Sequence, residues 1–425
     1  MIAPRRRRRT LLGQFAATPA ILMLSLLATG CAGEVGFSDA PPGGGDHLRP
    51  GLTLHVRLAP EAADIAQELG WTAGVPGAEV RVHRIGTDFA WETAVTDDQG
   101  TAHMPQLVGG RYRVAVYRPL SDAEAEQAGI EALAAGRIMN IAAAGTEQMI
   151  DLVPNRTGSL VISEIYAPAT FVAELSYNFH MYFEVYNNSD RTVFLDGLTF
   201  GKAQFIDVEA PHTSCAATAQ FRKDPDGVWG EFLHRFPGSG GEYPLAPGDA
   251  AVIALDAIDH SVVDPRFPDL SNADFELFGS GDVDNPDVPN LPEIGLQPWF
   301  HGHGLLFYVG HSLFIANELN VSTLERAVIT TPAGDLEHLR IPVTDLIDVV
   351  WTEEDDALND RRYVRCDGVV HQDFDQLGGG FLRHGVELTS SVQRVRLPGA
   401  AGDLQDTNVS AVDFVKGPIT PGTTR

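Results

Sequence analysis

Short alternating apolar runs, separated by glycine and proline turns, are the feature that most restricts the fold of this sequence. The stretch GVPGAEVRVHRIG places a Pro-Gly turn at Pro76 and Gly77 before an alternating segment from Ala78 to Arg84. Alternation with a period of two buries one face of a strand, and glycine or proline between such runs indicates turns. The chain contains 43 glycines and 27 prolines, and the runs between them have strand length rather than helix length. The pattern predicts an all-β protein with two β-sandwich domains.

The first 30 residues have the features of an export signal rather than of a folded element. Arg5 to Arg9 precede an apolar run, and small residues lead to Cys31. The run is too short to predict a permanent membrane span. The ending LLATGC resembles the lipobox of bacterial lipoproteins, which implies removal of residues 1–30 and a lipid on Cys31. The alternative is an ordinary signal peptide that is followed by an incidental cysteine.

Residues 31–50 predict a flexible tether between the lipid and the folded domains. They are rich in glycine and proline and contain few large apolar side chains. Ala32 follows the cysteine at the position where an aspartate would indicate retention in the inner membrane. We therefore expect attachment to the outer membrane or the cell surface through the lipid anchor.

The charge of the chain restricts its partners. It has 30 basic and 57 acidic side chains, a formal net charge of −27, and removal of residues 1–30 takes away five arginines and no acids. A field of this sign disfavours nucleic acid and anionic lipid surfaces. We therefore predict no nucleic-acid partner.

Residues 51–153 are predicted to form the first β domain. They resemble transthyretin-like or carboxypeptidase-regulatory-like modules, whose recurrent form is a G-x-x-V strand, a T-D-x-x-G turn and an L-x-x-G-x-Y-x-V strand. Modules of this family are structural, so the resemblance implies a fold and no activity. The matching positions are Gly77, Val80, Thr96, Asp97, Gly100, Leu107, Gly110, Tyr112 and Val114.

One helix is predicted inside this domain, in the stretch SDAEAEQAGIEALAAGR. Ser121 and Glu124 fit an N-terminal capping box, and Gly136 fits a C-terminal stop. These signals predict a helix that extends from Ser121 to about Gly136.

Residues 158–425 are predicted to form the second β domain. They resemble the lamin-tail domain, an immunoglobulin-like β-sandwich, through the motifs I-x-E-I, E-x-Y-N-x-S/T-D, L-x-G and L-x-P-G. Asn187 to Asp190 are predicted to form a turn, and Glu164 and Glu184 to bond backbone groups at strand edges. The matching positions are Ile162, Glu164, Ile165, Glu184, Tyr186, Asn187, Ser189, Asp190, Leu195, Gly197, Leu245, Pro247 and Gly248, with Arg394 and DTNVSAVDF (406–414) near the end.

A further resemblance covers most of residues 50–421. The stretches LVISEIY, PGDAAVIALDAIDHS, DLSNADFE, DNPDVPNL and LQDTNVSAVDF are similar to those of an uncharacterised family of bacterial surface lipoproteins, classified as a domain of unknown function. The resemblance implies an architecture and a location, and it offers no activity.

The sequence lacks common catalytic motifs. It contains no G-x-S-x-G nucleophile elbow, no P-loop and no H-E-x-x-H. We therefore expect a protein that is not an enzyme.

Two clusters nevertheless carry metal-ligand chemistry. Asp282, Asp284 and Asp287 offer closely spaced oxygens for calcium, and His301 and His303 can face the same side of a strand. The aspartates match an EF-hand only in part, because Asp287 stands where the sharp turn needs glycine. For both clusters the alternative is a loop with a purely structural role. Apart from a metal at these clusters, no cofactor is predicted.

Cysteines are few in the predicted mature chain. Apart from Cys31, only Cys215 and Cys366 are present. In an oxidising compartment they can form a disulfide, or they can be two separate buried thiols. The sequence leaves both alternatives open.

Together these observations predict a lipid-anchored surface protein that binds or scaffolds without catalysis. The family resemblance adds the expectation of an outer-membrane transporter or another envelope protein as a partner. The alternative is a metal-dependent hydrolase or a calcium-binding surface module that uses the histidine and aspartate clusters.

Overall fold

The fold consists mainly of β-strands, and its helices are short. The all-β prediction is therefore confirmed. Within the part of the chain described, no helix is long and apolar enough to cross a membrane. The computed structural model describes residues 51–87, 91–142, 144–155, 159–168, 177, 179–203, 208–209, 224, 226–277, 284–294, 312–331, 334–354, 363–364, 382–384, 388–397 and 404–423.

The first part of the chain forms a seven-stranded sheet with two short helices. The strands are β1 (Leu52–Leu58), β2 (Glu79–Arg84), β3 (Glu92–Val95), β4 (Thr101–Met104), β5 (Gly110–Pro119), β6 (Ala132–Ile141) and β7 (Thr146–Asn155), and the helices are α1 (Ala63–Glu68) and α2 (Asp122–Ala128). The strand order is β3-β2-β5-β6-β7-β1-β4. Strand β1 is parallel to β7 and antiparallel to β4. We call this unit the first sheet.

Alternation in these strands supplies the core of the first sheet. Leu52, Leu54 and Val56 of β1 are buried, and they pack in one cluster with Val80 of β2 and Val114 of β5. Each fully buried aliphatic side chain contributes about 2 kcal/mol relative to an exposed one. The predicted turns therefore place apolar faces of neighbouring strands against a common core.

The turn between β3 and β4 explains the T-D-x-x-G motif. Asp97 Oδ1 accepts hydrogen bonds from the backbone N–H groups of Gln99 (2.9 Å) and Thr101 (2.8 Å). Gly100 has a φ of +73°, and a Cβ atom there would lie 2.5 Å from the carbonyl oxygen of Val56. Only glycine fits this backbone conformation beside β1.

Helix α2 begins as predicted and ends earlier. Ser121 and Glu124 form the capping box, but the helix stops at Gly129, which has a φ of +67°. The predicted stop at Gly136 is wrong, because Gly136 lies in β6 and pairs with Ala115 of β5. The residues after Gly129 favour a helix locally, and burial of Ala132 to Ala135 in the sheet overrides this preference.

The remaining strands form two facing sheets and two small strand pairs. They are β8 (Leu160–Tyr166), β9 (Tyr182–Asn187), β10 (Val193–Phe194), β11 (Thr199–Ala203), β12 (Val208–Glu209), β13 (Gly227–Arg235), β14 (Pro244–Leu245), β15 (Ala250–Ala254), β16 (Phe275–Glu276), β17 (Ser312–Ala316), β18 (Arg326–Thr331), β19 (Gly334–Pro342), β20 (Leu346–Glu354), β21 (Tyr363–Val364), β22 (Leu382–His384), β23 (Ser390–Arg394) and β24 (Phe414–Pro418), with helix α3 (Ser410–Asp413). One sheet has the order β18-β19-β13-β11-β17-β20-β22 and the other β16-β15-β9-β8-β23-β24. Strand β10 pairs with β14, and β12 with β21. We call the two facing sheets the sandwich.

A shared apolar core joins the two sheets of the sandwich. Phe183 of β9 stacks on Phe200 of β11, with ring centroids 3.8 Å apart and an interplanar angle of 5°. Both rings are completely buried, and Ile315 of β17 and Val392 of β23 belong to the same cluster. The core therefore lies between the sheets, as expected for face-to-face packing.

Segment 404–413 joins the sandwich to the first sheet. Val409 and Val412 pack against Ala115 of β5. A Cβ atom on Gly136 would lie 2.7 Å from Thr407 Oγ1 and 2.8 Å from Val409 Cβ. The predicted domain boundary between 153 and 158 falls near the end of β7, and it stays a prediction.

Candidate functional site

A cavity of about 380 Å³ lies where the first sheet meets the sandwich. Strands β2 and β5 line one side, and loops of the sandwich line the other. Its volume is within the range of small-molecule sites, about 300 to 1,000 Å³. The parts of the lining that matter below are Glu79, Arg81, Tyr117 and segments 186–190, 247–248 and 404–407.

Two predicted turns form one wall of this cavity. Asn187 Oδ1 accepts hydrogen bonds from Ser189 N (3.0 Å) and Ser189 Oγ (2.7 Å), which makes an Asx turn. Asn187 Nδ2 donates to the carbonyl oxygen of Leu245 (2.8 Å), and Gly248 N donates to that of Asn187 (3.0 Å). The amide of Asn187 therefore holds the YNNSD turn against the Pro-Gly turn.

The second wall, segment 404–407, is fixed by side-chain amides. Asn188 Oδ1 accepts from Leu404 N (2.7 Å), and Asn188 Nδ2 donates to Leu404 O (3.1 Å). Gln405 Nε2 donates to the carbonyl oxygen of Val412 (3.2 Å) and to Asp413 Oδ1 (3.1 Å). Because these amides are occupied within the fold, the wall keeps its shape without a ligand.

Arg81 reaches the cavity from the first sheet. Its residue is 3% exposed, and its Nη1 donates to Gln405 Oε1 at 2.9 Å. Its Nε makes no hydrogen bond within the residues described. The same Nε forms an ion pair with Glu79, whose nearest carboxylate oxygen lies 3.5 Å away. The guanidinium carbon lies 5.3 Å from the ring centroid of Trp91. Burial is the main cause that lowers the pKa of Arg81 below its usual value.

Two carboxylates at the cavity reach solvent. The side chain of Glu79 is 46% exposed. Asp190 is exposed, and it makes no hydrogen bond with the part of the chain that the structure describes. Asp190 is therefore available to a ligand, and the half-exposed Glu79 can also be reached by one while it pairs with Arg81.

Behind the wall, Arg394 holds three aspartates in a buried ionic cluster. Its guanidinium donates to Asp348 (2.8 Å) and Asp406 (3.1 Å) and lies 3.8 Å from Asp413. Its Nε donates to the carbonyl oxygen of Ile162 (3.0 Å). Burial raises the pKa of Asp348 and of Asp413. The cluster ties β8, β20 and β23 to segment 404–413.

Glu164 and Glu184 face each other in the register of β8 and β9. Glu164 accepts from Tyr182 Oη (2.7 Å) and Thr420 N (3.1 Å), and Glu184 accepts from Ser163 Oγ (2.6 Å) and Gly422 N (3.2 Å). The predicted bonds to backbone are therefore present, but the two strands are central in their sheet rather than at its edges. Burial raises the pKa of Glu184.

A buried aromatic cluster surrounds two histidines. His260 Nε2 contacts the carbonyl oxygen of Asp256 (2.8 Å), and its Nδ1 contacts Tyr177 Oη (2.7 Å). His180 stacks on Phe267, with centroids 3.9 Å apart, and neither of its ring nitrogens has a hydrogen bond within the described chain. The cluster packs as a core rather than opening to solvent.

Two of the residues predicted as metal ligands, Asp284 and Asp287, lie among the described residues. Asp284 and Asp287 are exposed. Asp284 accepts from Asn290 Nδ2 (2.8 Å), while Asn285 Nδ2 fixes the loop by donating to the carbonyl oxygen of Ala257 (2.7 Å). Among the residues described, no three His, Cys, Asp or Glu side chains come together as a metal site. Cys31, Cys215, Cys366, Asp282, His301 and His303 lie outside the described residues. Calcium binding, lipidation and the disulfide therefore stay predictions.

The comparisons point to an uncharacterised family. Residues 246–419 match the sequence model of DUF4876, described as "Protein of unknown function". The crystal structure of a DUF4876 family protein from Bacteroides thetaiotaomicron VPI-5482 is similar over 86% of this chain and 94% of that chain, with 18% identity and a TM-score of 0.47. No curated protein matches this chain. The family match over residues 246–419 supports the predicted resemblance to a domain of unknown function, whereas the lipoprotein assignment and the transthyretin-like and lamin-tail-like domain types stay predictions.

The sequence motifs predict the turns of the cavity but not the burial of Arg81. The motifs around Asn187 and Gly248 form one wall, as their turn chemistry allows. Arg81 stands at a polar position of an alternating strand, which by itself predicts exposure. Its burial follows from the packing of β2 against segment 404–407, and no local signal indicates that contact.

Proposed function

We propose that this chain is a lipid-anchored surface protein that binds a small ligand without catalysis in the cavity between the first sheet and the sandwich. The observation that carries the proposal is the cavity of about 380 Å³ with Arg81 in its wall. The lipobox-like sequence before Cys31 supports the anchor. An outer-membrane transporter that receives the ligand is the partner that we propose.

The hydrogen bonds of the wall support binding rather than catalysis. Ser189 Oγ bonds Asn187 Oδ1 (2.7 Å), and Thr407 Oγ1 bonds Asp413 Oδ1 (2.8 Å). Both hydroxyls bond side chains of the wall itself, and neither contacts a histidine among the described residues, as a nucleophile would. A wall fixed in this way reduces the ordering cost of binding.

The anchor is tested by labelling cells with an alkyne-bearing fatty acid. Label on the protein should be lost in Cys31→Ser and kept in the matched control Cys215→Ser. Label that persists in Cys31→Ser would exclude the anchor.

The cavity is tested with a panel of neutral, anionic, cationic and zwitterionic small molecules, followed by ligand-detected NMR. We expect Asp190→Trp to abolish binding, because an indole at this exposed position occupies part of the cavity and breaks no hydrogen bond that Asp190 makes with the described residues. Asp287→Trp, also in an exposed loop, is the control. Binding that Asp190→Trp leaves unchanged would place the ligand elsewhere.

A further inference from the structure

The donor that the cavity offers is Arg81, which pairs with Glu79 at 3.5 Å and lies over Trp91 but makes fewer hydrogen bonds than a guanidinium can. Of the five N–H donors of a guanidinium, Arg81 bonds one to Gln405, and its Nε has no hydrogen bond within the described chain. Arg394, which is buried to a similar degree, has three aspartates around it. A buried guanidinium with so few acceptors is suited to receive a carboxylate from a ligand.

The acceptors that the cavity offers lie on exposed side chains. Glu79 and Asp190 present carboxylates to solvent, whereas Asp406 is already bonded to Arg394 (3.1 Å). Asp190, and Glu79 with the exposed part of the carboxylate that also pairs with Arg81 at 3.5 Å, attract an ammonium group or another strong donor.

The charge of the whole chain selects between ligands. With a formal net charge of −27, the protein repels a free anion at long range. A zwitterion carries no net charge, so it meets no such barrier and still satisfies Arg81 and the carboxylates at short range.

We propose that the cavity binds a small zwitterion, an amino acid or a dipeptide, with its carboxylate on Arg81 and its ammonium towards Glu79 and Asp190. This assignment rests on the proposed binding function of the same cavity. A volume of about 380 Å³ accommodates a ligand of dipeptide size. Tyr117 adds an aromatic surface for its apolar atoms.

The test compares Ala-Ala with N-acetyl-Ala-Ala, which lacks the ammonium, and with Ala-Ala-amide, which lacks the carboxylate. Each is titrated calorimetrically into the full-length chain. We expect Ala-Ala to bind, and each blocked form to bind at least tenfold more weakly, roughly the effect of losing one charge-assisted hydrogen bond.

Two variants locate the charged ends of the ligand. Arg81→Lys keeps the charge and removes the guanidinium fork, so it should weaken Ala-Ala. Asp190→Asn changes an exposed side chain that makes no hydrogen bond with the described residues, so we expect the fold to be retained. It should weaken Ala-Ala while leaving N-acetyl-Ala-Ala unchanged. Asp287→Asn is the matched control.

Equal binding of Ala-Ala and its two blocked forms would overturn the assignment, and so would unchanged binding of Ala-Ala to Asp190→Asn. Binding of a neutral probe such as glucose, blocked by Asp190→Trp, with no binding of Ala-Ala would overturn the zwitterion and retain the cavity as a site. If no member of the neutral, anionic, cationic and zwitterionic panel binds, the proposed function fails as well.

Discussion

At the scale of single residues, burial determines which polar side chains affect the pH dependence of stability. His180 is 3% exposed, and its ring nitrogens have no hydrogen bonds within the part of the chain described. Burial, with the nearby His260, lowers the pKa of His180 from 6.5 to about 3. The ring must therefore stay neutral in the folded protein.

His180→Phe should make the protein more resistant to acid. The folded pKa lies below the unfolded one, so the stability that neutral His180 contributes is present above pH 6.5 and is lost as the pH falls towards 3. Between pH 7 and 5 the wild-type protein should lose about 2 kcal/mol of unfolding free energy through this residue, at about 1.4 kcal/mol per pKa unit. Urea unfolding at both pH values measures this loss. His180→Phe should not show this loss of unfolding free energy, whereas the control His103→Asn, at an exposed position, should show it in full. Equal acid sensitivity of all three proteins would contradict the prediction.

Arg394→Met should destabilise the protein by about 3 to 5 kcal/mol, because it leaves Asp348, Asp406 and Asp413 buried without a cation. The pKa values of Asp348 and Asp413 are raised on folding, so these acids favour the folded state at low pH and oppose it as the pH rises. The loss, measured by denaturant unfolding, should therefore be smaller at pH 5 than at pH 8.

The control for this change is Arg326→Met, which breaks an exposed ion pair with Glu337. A pair of this kind contributes about 0 to 1 kcal/mol. Similar losses in the two variants would show that the Arg394 cluster is not a buried ionic centre.

At the scale of elements, the segment after β24 completes the buried carboxylate pair of β8 and β9. Thr420 N and Gly422 N donate to Glu164 and Glu184. Ile419 packs against the apolar cluster that contains Tyr166 and Tyr182. This short segment therefore covers the centre of the sheet and donates hydrogen bonds to both buried glutamates.

Removal of residues 419–425 should lower the unfolding free energy by about 3 kcal/mol, because two buried carboxylates lose hydrogen bonds worth about 1.5 to 3 kcal/mol each. Thermal and denaturant unfolding measure the effect. Removal of residues 424–425 alone retains both donors and should change stability little. A full-size loss with this shorter truncation would contradict the role of Thr420 and Gly422.

At the scale of the whole molecule, the contact between the first sheet and segment 404–413 shapes the cavity. Gly136 permits this contact, since a Cβ atom at that position would lie 2.7 Å from Thr407 Oγ1. Asn155 Nδ2 adds a bond to the carbonyl oxygen of Asp406 at 2.9 Å. Parts of the chain that are more than 250 residues apart therefore build one wall.

Gly136→Val should displace segment 404–413 from the first sheet. Hydrogen exchange of the backbone amides in this segment should accelerate by roughly tenfold or more, as overpacking costs about 1 to 3 kcal/mol. The hydrogen-exchange rates of the amides in β19, a strand of the sandwich far from this contact, should not change. Asn140→Val, an exposed position of the same strand, is the control; equal acceleration there would contradict the close approach at Gly136.

Some parts of the candidate site can be predicted from the sequence, and others cannot. The turns at Asn187 and Gly248 follow from side-chain and glycine chemistry within a few residues, so the sequence predicts them. The burial of Arg81 and the clustering of Arg394 with three aspartates depend on contacts between distant segments, so local patterns give no signal for them. The end of α2 shows the same division: the capping box at Ser121 is local, whereas the strand that contains Gly136 is stabilised by pairing with β5.

The sequence by itself determined that this chain is all-β, where many of its turns lie, and that it is strongly acidic. These properties arise from alternation, from glycine and proline, and from composition, all of which act over short distances or over the whole chain at once. Only the tertiary structure decided that strand β2 faces segment 404–407 and that a cavity with a buried arginine lies between them. The physical reason is that the burial of a side chain depends on which distant surface covers it, and no local pattern specifies that surface.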